Sequence, residues 1–264
     1  MDYSIQLLKK RLLGKTIGHK LYYYQEIGST NDEAFKLAIA GALEGTVIIA
    51  NSQNKGKGRL QRIWHSPSGA NIYTSIILRP NFAPFLTPQT PIMAGVAVAE
   101  ILEEYRIGKV SLKWPNDVHL NGKKICGILS QAKTSVNNID FVVLGIGINV
   151  NISYEQFPLD IRDIATSLSI EGGRDFSRQD LIISLYENLT KWYKKLKRDG
   201  FDEIKEKWLS MTTMIGCNIQ VMFQDEVIRG RALDIDEHGS LIIMNPAGKT
   251  IKISAGDATI LKEN

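Results

Sequence analysis

From Ser111 to Ile128 the chain reads SLKWPNDVHLNGKKICGI. Leu112 and its neighbours mark the end of a strand, and Pro115, with a fixed φ and no amide hydrogen, halts the ladder there. Lys113 is thus expected where a sheet opens, a place where sheets commonly receive ligands. The amide of Asn116 and the carboxylate of Asp117 stand beside it. Asn121-Gly122 is a strong hairpin signal, because the tight turn that joins two twisted strands needs positive φ at both central residues. This turn is expected to bring the next strand, KICGILSQA with Gly127, back alongside Lys113.

The reading extends in both directions from this hairpin. Upstream, Ser29-Thr30-Asn31 supplies capping oxygens to DEAFKLAIAG, a short helix closed by Gly41. TVIIA (Thr46 to Ala50) and ANIYTSIILRP, stopped by Pro80, read as strands, and TPIMAGVAVAEILEEYR reads as a core helix. Downstream, DFVVLGIGINV is a further strand. From Arg178 to Asp199, Ile182, Leu185, Leu189, Trp192 and Leu196 recur every three or four positions, with lysines crowding the C-terminal end, as in an amphipathic helix. FDEIKEKWL continues in that style. Beyond Met214 the pattern shifts to CNIQVMF, VIRGRALDI, SLIIMN and TIKIS, separated by QDE, DEHG and PAG, which suggests a small β-barrel or sandwich.

Two other stretches carry chemistry. NSQNKGKGRLQRIWHSP (Asn51 to Pro67) sets Lys55, Lys57, Arg59 and Arg62 around Gly56 and Gly58, whose backbones can bend to wrap an anion. It lacks the Gly-Lys-Ser/Thr ending of a nucleotide P-loop. Trp64 follows, an aromatic ring that can cover a flat ligand or simply pack. GIGINVN (Gly145 to Asn151) ends an apolar strand with two glycines that permit close approach, then Asn149 and Asn151; the full Gly-x-Gly-x-x-Gly pattern is absent.

Composition is that of an ordinary globular chain of 264 residues, 44% hydrophobic and 23% charged, with a formal charge of +4. So mild an excess argues against a nucleic-acid partner and suits an acidic protein substrate. Cys126 and Cys217 form neither a metal cluster nor a disulfide framework, so no protein-made metal site is expected. No signal peptide is evident, and no segment approaches the roughly 20 apolar residues of a membrane span. A cytoplasmic location and no membrane partner are therefore expected.

Taken together, the chemical stretches resemble biotin protein ligases. That family carries Ser-Thr-Asn before its first catalytic helix, as at Ser29 to Asn31. It carries a glutamine-led Gly-Arg-Gly-Arg-x-Gly-Arg-x-Trp loop, matched by Gln53, Gly56, Lys57, Gly58, Arg59, Arg62 and Trp64. It also carries Lys-Trp-Pro-Asn-Asp, identical at Lys113 to Asp117, Lys-x-x-Gly-Ile-Leu at Lys124 to Leu129, and Gly-Ile-Gly-Ile-Asn at Gly145 to Asn149. Lys57 departs from an arginine and Gln61 from a glycine. The first change keeps charge and loses bidentate geometry; the second is expected to stiffen the loop.

The resemblance implies an α+β fold of the biotin/lipoate ligase type. A mixed-sheet catalytic domain would span residues 1–213, and a small SH3-like β-barrel residues 214–264. The implied substrates are biotin and ATP, with Mg2+ accompanying the nucleotide, and the product is biotin on a lysine of a carboxylase's biotin carboxyl carrier domain, made through biotinyl-5'-AMP. Lys113 and Arg59 are the implied catalytic cations. The biotin site would comprise Ser29, Thr30, Asn31, Gln53, Gly56, Lys57, Gly58, Arg59, Lys113 and Gly127. The ATP site would comprise Arg59, Arg62, Trp64, Lys113, Asn116, Asp117 and Asn149. The four histidines form no triad and read as ordinary polar positions, with His65 alone near the site. If the sheet leaves an uncovered edge, two chains are expected to pair as a homodimer.

Lipoate or octanoate ligases and transferases share the architecture, but the Trp64 loop and the intact Lys113-to-Asp117 run favour biotin. A biotin-responsive repressor would need a winged helix-turn-helix. About twenty residues precede the catalytic part, roughly a third of what such a module requires, so no DNA partner is expected.

Overall fold

The computed structural model describes residues 3–136, 138–223 and 226–261. Its elements run α1 (Ile5–Arg11), β1 (Lys20–Tyr24), α2 (Thr30–Ile39), β2 (Thr46–Ala50), β3 (Ile72–Leu78), α3 (Gln89–Glu103), β4 (Val110–Lys113), β5 (Asp117–Leu120), β6 (Lys123–Thr134), β7 (Ile139–Ile148), α4 (Leu168–Gly172), α5 (Arg178–Asp199), α6 (Asp202–Met211), β8 (Asn218–Phe223), β9 (Glu226–Ile235), β10 (Leu241–Met244), β11 (Thr250–Ile253) and β12 (Asp257–Ile260). Seven strands form a mixed sheet in the order β1-β2-β3-β7-β6-β5-β4. Only the β1–β2 pair is parallel. The remaining five form an antiparallel sheet, β11-β10-β9-β8-β12.

Each strand of the large sheet sends alternate side chains to opposite faces. On β7, Val142, Leu144, Ile146 and Ile148 point into the main core with α3 and α5, whereas Phe141 and Val143 point to the other face and pack with Ala34 and Ala38 of α2. Further along that second face the side chains vanish at Gly145 and Gly147. Helix α2 therefore covers one half of the face, and the other half is left for the site.

The α5 helix matches the sequence reading, with Ile182, Leu185, Leu189, Trp192 and Leu196 all buried. Four elements were not legible in sequence: α1, started by Ser4 accepting from the Leu7 amide, β1, the short α4, and β5. The last changes the expected hairpin. Asp117 pairs with both Lys113 and Gly127, so β5 lies between β4 and β6, and Gly127 is two strands from Lys113 rather than beside it. The chain reverses within Trp114–Asn116, a turn too short to declare itself by pattern.

One further expectation is corrected. The stretch Pro84–Glu103 is long and apolar enough to cross a membrane by composition, but 67% of its 18-residue apolar window is buried inside this fold, and Gln89–Glu103 within it is the core helix α3.

The two sheets share one core: Ile219, Val221, Ala232, Ile235, Leu241 and Ile243 join the cluster that contains α3 and α5. Trp114, 1% exposed, donates from Nε1 to the Gly239 carbonyl at 3.0 Å, and so belongs to the junction. The Gln224–Asp225 part of the expected QDE turn lies outside the described residues.

Candidate active site

The site follows a single register row across the sheet. Tyr73 of β3 pairs with Gly147, Gly147 with Gly127, Gly127 with Asp117, and Asp117 with Lys113. Directly paired residues share a face, so five strands present one line: an aromatic, two glycines, a carboxylate and a cation. The indole of Trp64 lies over the glycines. A Cβ at Gly147 would come 2.4 Å from its Nε1, and one at Gly127 would come 2.8 Å from its Cζ3. Trp64 Nε1 is buried without a hydrogen-bond partner, which motivates a missing acceptor at this spot.

A β-bulge brings a second lysine to the row. Val118 pairs with Cys126 but His119 pairs with Lys124, so Ile125 is the extra residue and the alternation on β6 is reset. Lys124 Nζ consequently reaches Asp117 Oδ1 at 2.7 Å and lies 5.6 Å from the Trp64 ring centroid. His119 sits in the same cluster and is more than an ordinary polar position. Burial lowers its pKa from the ordinary imidazole value; Asp117 opposes this, and Lys113 adds to it.

At the covered end, Ser29, Thr30 and Asn31 are each 4% exposed. Ser29 makes no side-chain cap; instead Gln53 Oε1 accepts from the Thr30 amide at 2.8 Å and from its hydroxyl at 3.1 Å. Gln53 Nε2 donates to Ser66 Oγ at 3.0 Å, and Ser66 donates to the Trp64 carbonyl at 2.9 Å. Asn31 rests on bare backbone, because a Cβ at Gly145 would fall 1.9 Å from its Oδ1. Its Nδ2 donates to Gln131 Oε1 at 3.0 Å, and Ser75 Oγ donates to its Oδ1 at 2.6 Å. These bonds form a continuous polar network from the sheet to the loop.

The loop folds back on itself through a Lys57–Ile63 bridge and a Gly58 amide to Arg62 carbonyl bond of 2.7 Å. Its tip places Leu60 (φ 51) and Gln61 (φ 59) in the left-handed region, where side chains cost about 1–2 kcal/mol. The cations reach three separate elements. Lys57 Nζ lies 2.6 Å from Asp32 Oδ1 on α2, Arg59 Nη1 donates to Asn116 Oδ1 at 3.0 Å, and Arg62 Nη1 meets Asp257 Oδ2 on β12 at 2.7 Å. Burial lowers the Arg59 pKa from its ordinary value, against the opposing pull of Asp257 and Asp117; the guanidinium stays charged at neutral pH.

The structure thus brings together Ser29, Thr30, Asn31, Gln53, Gly56, Lys57, Arg59, Trp64, Asn116, Asp117 and Gly127, with Lys113 and Arg62 at the rim. Asn149 is committed to the fold: it donates to the Thr166 carbonyl at 3.0 Å and accepts from Asn71 at 3.3 Å. Sequence reasoning did not single out Lys124, His119, Ser75, Gln131 or Asp257. Lys124 opens the Lys-x-x-Gly-Ile-Leu motif and could have been found there; Asp257 carries no local signal.

Known proteins are similar to this chain in sequence and fold. Residues 23–149 match the Biotin/lipoate A/B protein ligase family, and residues 215–260 match the Biotin protein ligase C terminal domain. The chain is 37% identical to the bifunctional ligase/repressor BirA of Bacillus subtilis over 89% of its own length and 72% of that protein. It is 31% identical to the biotin--[acetyl-CoA-carboxylase] ligase of Mycobacterium tuberculosis over 97% and 94%. Among solved structures, a biotin protein ligase from Aquifex aeolicus in complex with biotin and ATP is 31% identical, with a TM-score of 0.78 over 92% of this chain and 99% of that one.

Proposed function

This chain belongs to the biotin protein ligase family, and we propose how its own side chains carry that family's ATP-dependent ligation of biotin to a carboxylase. In the first step a carboxylate oxygen of biotin bonds to the α-phosphorus of ATP, and the bond from that phosphorus to the bridging oxygen breaks. Biotinyl-5'-AMP forms and pyrophosphate leaves. In the second step a lysine amine of the carrier domain attacks the acyl carbon, loses its proton and releases AMP.

The reactants are anions, so the first requirement is positive charge. Lys113, Lys124, Arg59 and Arg62 surround the glycine row and stabilise charge that grows on phosphorus and on the departing oxygens. The network of Ser29, Thr30, Asn31 and Gln53 offers hydroxyls and amides to the ureido ring of biotin. Trp64 covers the glycines, and its unpartnered Nε1 offers a donor to the nucleotide. Lys57, on Asp32, and Arg59, on Asn116, hold the loop down and keep water from the mixed anhydride. Magnesium arrives with the triphosphate. Among the described residues no three His, Cys, Asp or Glu side chains converge on one point.

The observation that carries this reading is the register row from Gly147 to Lys113 under the Trp64 loop. ATP-dependent incorporation of labelled biotin into a carrier domain tests it, with lipoate as competitor. Loss of biotin labelling to lipoate at equal concentration would favour the lipoate alternative. We place the boundary between the two units at residues 213 and 214. The shared core predicts that residues 1–213 made alone melt less cooperatively than the whole chain. The sheet ends at β1 and β4, and Thr212 bridges Leu112 on β4, so homodimer pairing is proposed through β1; a monomer in sedimentation with and without ligands ends that idea.

A further inference from the structure

We propose that His119 is a positioning residue for adenylate formation: its Nε2 lone pair receives the Lys113 ammonium and directs that charge to the reacting phosphate. This rests on the ligase reading above, which makes Lys113 a cation of the first step. His119 lies on β5 two residues beyond Asp117, so both side chains stand on the site face while Val118 and Leu120 enter the core. Its register partners are Ser111 on β4 and Lys124 on β6. Lys113 pairs directly with Asp117 and is therefore the diagonal neighbour of His119, a spacing that long and aromatic side chains span.

Two ammonium groups meet one carboxylate here. Lys124 Nζ takes Asp117 at 2.7 Å, which leaves the diagonal imidazole as the acceptor open to Lys113. The ring has the proton arrangement to receive it. Nδ1 lies 3.2 Å from the Gly122 carbonyl, an acceptor only, so Nδ1 carries the hydrogen and Nε2 keeps its lone pair. Nε2 is buried without a partner, and a buried acceptor left empty calls for a donor. A neutral imidazole has one advantage over a second carboxylate: it holds an ammonium without cancelling the charge that the anionic reactants need. The charged groups around the ring agree with this assignment. Burial does most to lower its pKa, Asp117 opposes it, and Lys113 and then Lys124 add to it, so the ring is neutral at pH 7 and loses its acceptor only in acid. Beyond the turn, Glu171 accepts from Asn121 and Thr166 at 2.6 Å each, and Asp163 from Tyr154 at 2.8 Å, so both carboxylates are already engaged.

The test compares His119→Leu, which removes the acceptor, with His119→Gln, whose amide oxygen reaches about as far as Nε2 and does not titrate. Biotin-dependent exchange of pyrophosphate into ATP is read on the whole chain from about pH 5 to 8.5, each variant as a ratio to wild type so that ionisation of the substrates cancels. At about pH 7.5 the leucine variant is expected to lose roughly tenfold or more in kcat, with the biotin KM within about twofold, and the glutamine variant to recover most of that loss. Toward acid, wild type loses rate as Nε2 takes a proton, so both ratios should rise. Nitrogen-15 NMR of the histidine-labelled protein reads the same arrangement on wild type, with the His119 signals assigned by their loss in the glutamine variant. Nε2 should be unprotonated at neutral pH, and its resonance should move on adding biotin and ATP and move far less in Lys113→Met at saturating ligand. Wild-type exchange by the leucine variant, equal losses in the leucine and glutamine variants, or a protonated Nε2 at neutral pH overturns the proposal. Wild type that shows neither exchange nor labelling of a carrier domain sinks the ligase reading instead, whatever the tautomer of His119.

Discussion

Replacing Gly147 by alanine is a small change with a large consequence at one contact. The added Cβ would lie 2.4, 2.5 and 2.8 Å from Nε1, Cε2 and Cζ2 of Trp64, where ordinary contact begins at 3.4 Å. About an ångström must be found. The obstacle is the body of an indole rather than a flexible tip, and Gly147 sits on β7, paired on both sides. The strand cannot yield, so the loop must lift. Overpacking of this kind costs about 1–3 kcal/mol. Here it falls on the loop's closed position, so we expect the ATP KM to rise roughly tenfold to a hundredfold with the melting temperature nearly kept. Trp114, Trp192 and Trp208 are 1%, 3% and 1% exposed, so acrylamide quenching of fluorescence reports chiefly on Trp64 and should increase. A double-mutant cycle with Trp64→Ala supplies the check, since removing the ring removes the clash and the two effects must be strongly non-additive. Simple additivity, or unchanged quenching with an unchanged KM, would refute the reasoning.

Lys113→Ala and Lys124→Ala should each lower adenylate formation by about 10²–10³, the usual loss of one charge-stabilising donor, with biotin binding affected less; near-normal pyrophosphate release by either variant removes that lysine from the mechanism. Arg59→Gly loses the 3.0 Å bond to Asn116 and should release adenylate, seen as biotin on lysines of an unrelated bystander protein, whereas Lys113→Ala should leave none. Background labelling by an Arg59→Gly enzyme that still makes adenylate would reassign the loop. At the junction, burial works to raise the Asp236 carboxyl, but the Ser240 and His238 amides and Lys252 outweigh it and hold it below its ordinary value. Its stabilisation is therefore complete above the unfolded pKa of about 3.9 and is lost as pH falls through the lower native pKa. Asp236→Ala should cost about 2 kcal/mol at pH 7 and reduce the acid dependence of unfolding below pH 4; an unaltered pH profile in denaturant melts contradicts this.

What the sequence determined by itself was local. Continuous apolar runs rich in β-branched and aromatic residues marked β2, β3 and β7, the three-to-four spacing marked α5, and the glycines at 145 and 147 marked places where a ligand can approach bare backbone. The motif residues Ser29 to Asn31, Gln53, Arg59, Trp64 and Lys113 to Asp117 were legible because close chemical approach restricts residue type at fixed spacing. Pairing between distant segments was not legible, because it depends on register, and register is set by contacts that no local window contains. A strand of four residues after a tight turn left β5 without enough alternation to be seen. The extra residue at Ile125 resets which side chains of β6 face the site, and only the pairing of His119 with Lys124 reveals it. Asp257 meets Arg62 solely because the second sheet docks on the first through Trp114 and Gly239. Tertiary structure decided these cations and carboxylates, since a charge becomes part of a site only when packing fixes its neighbours.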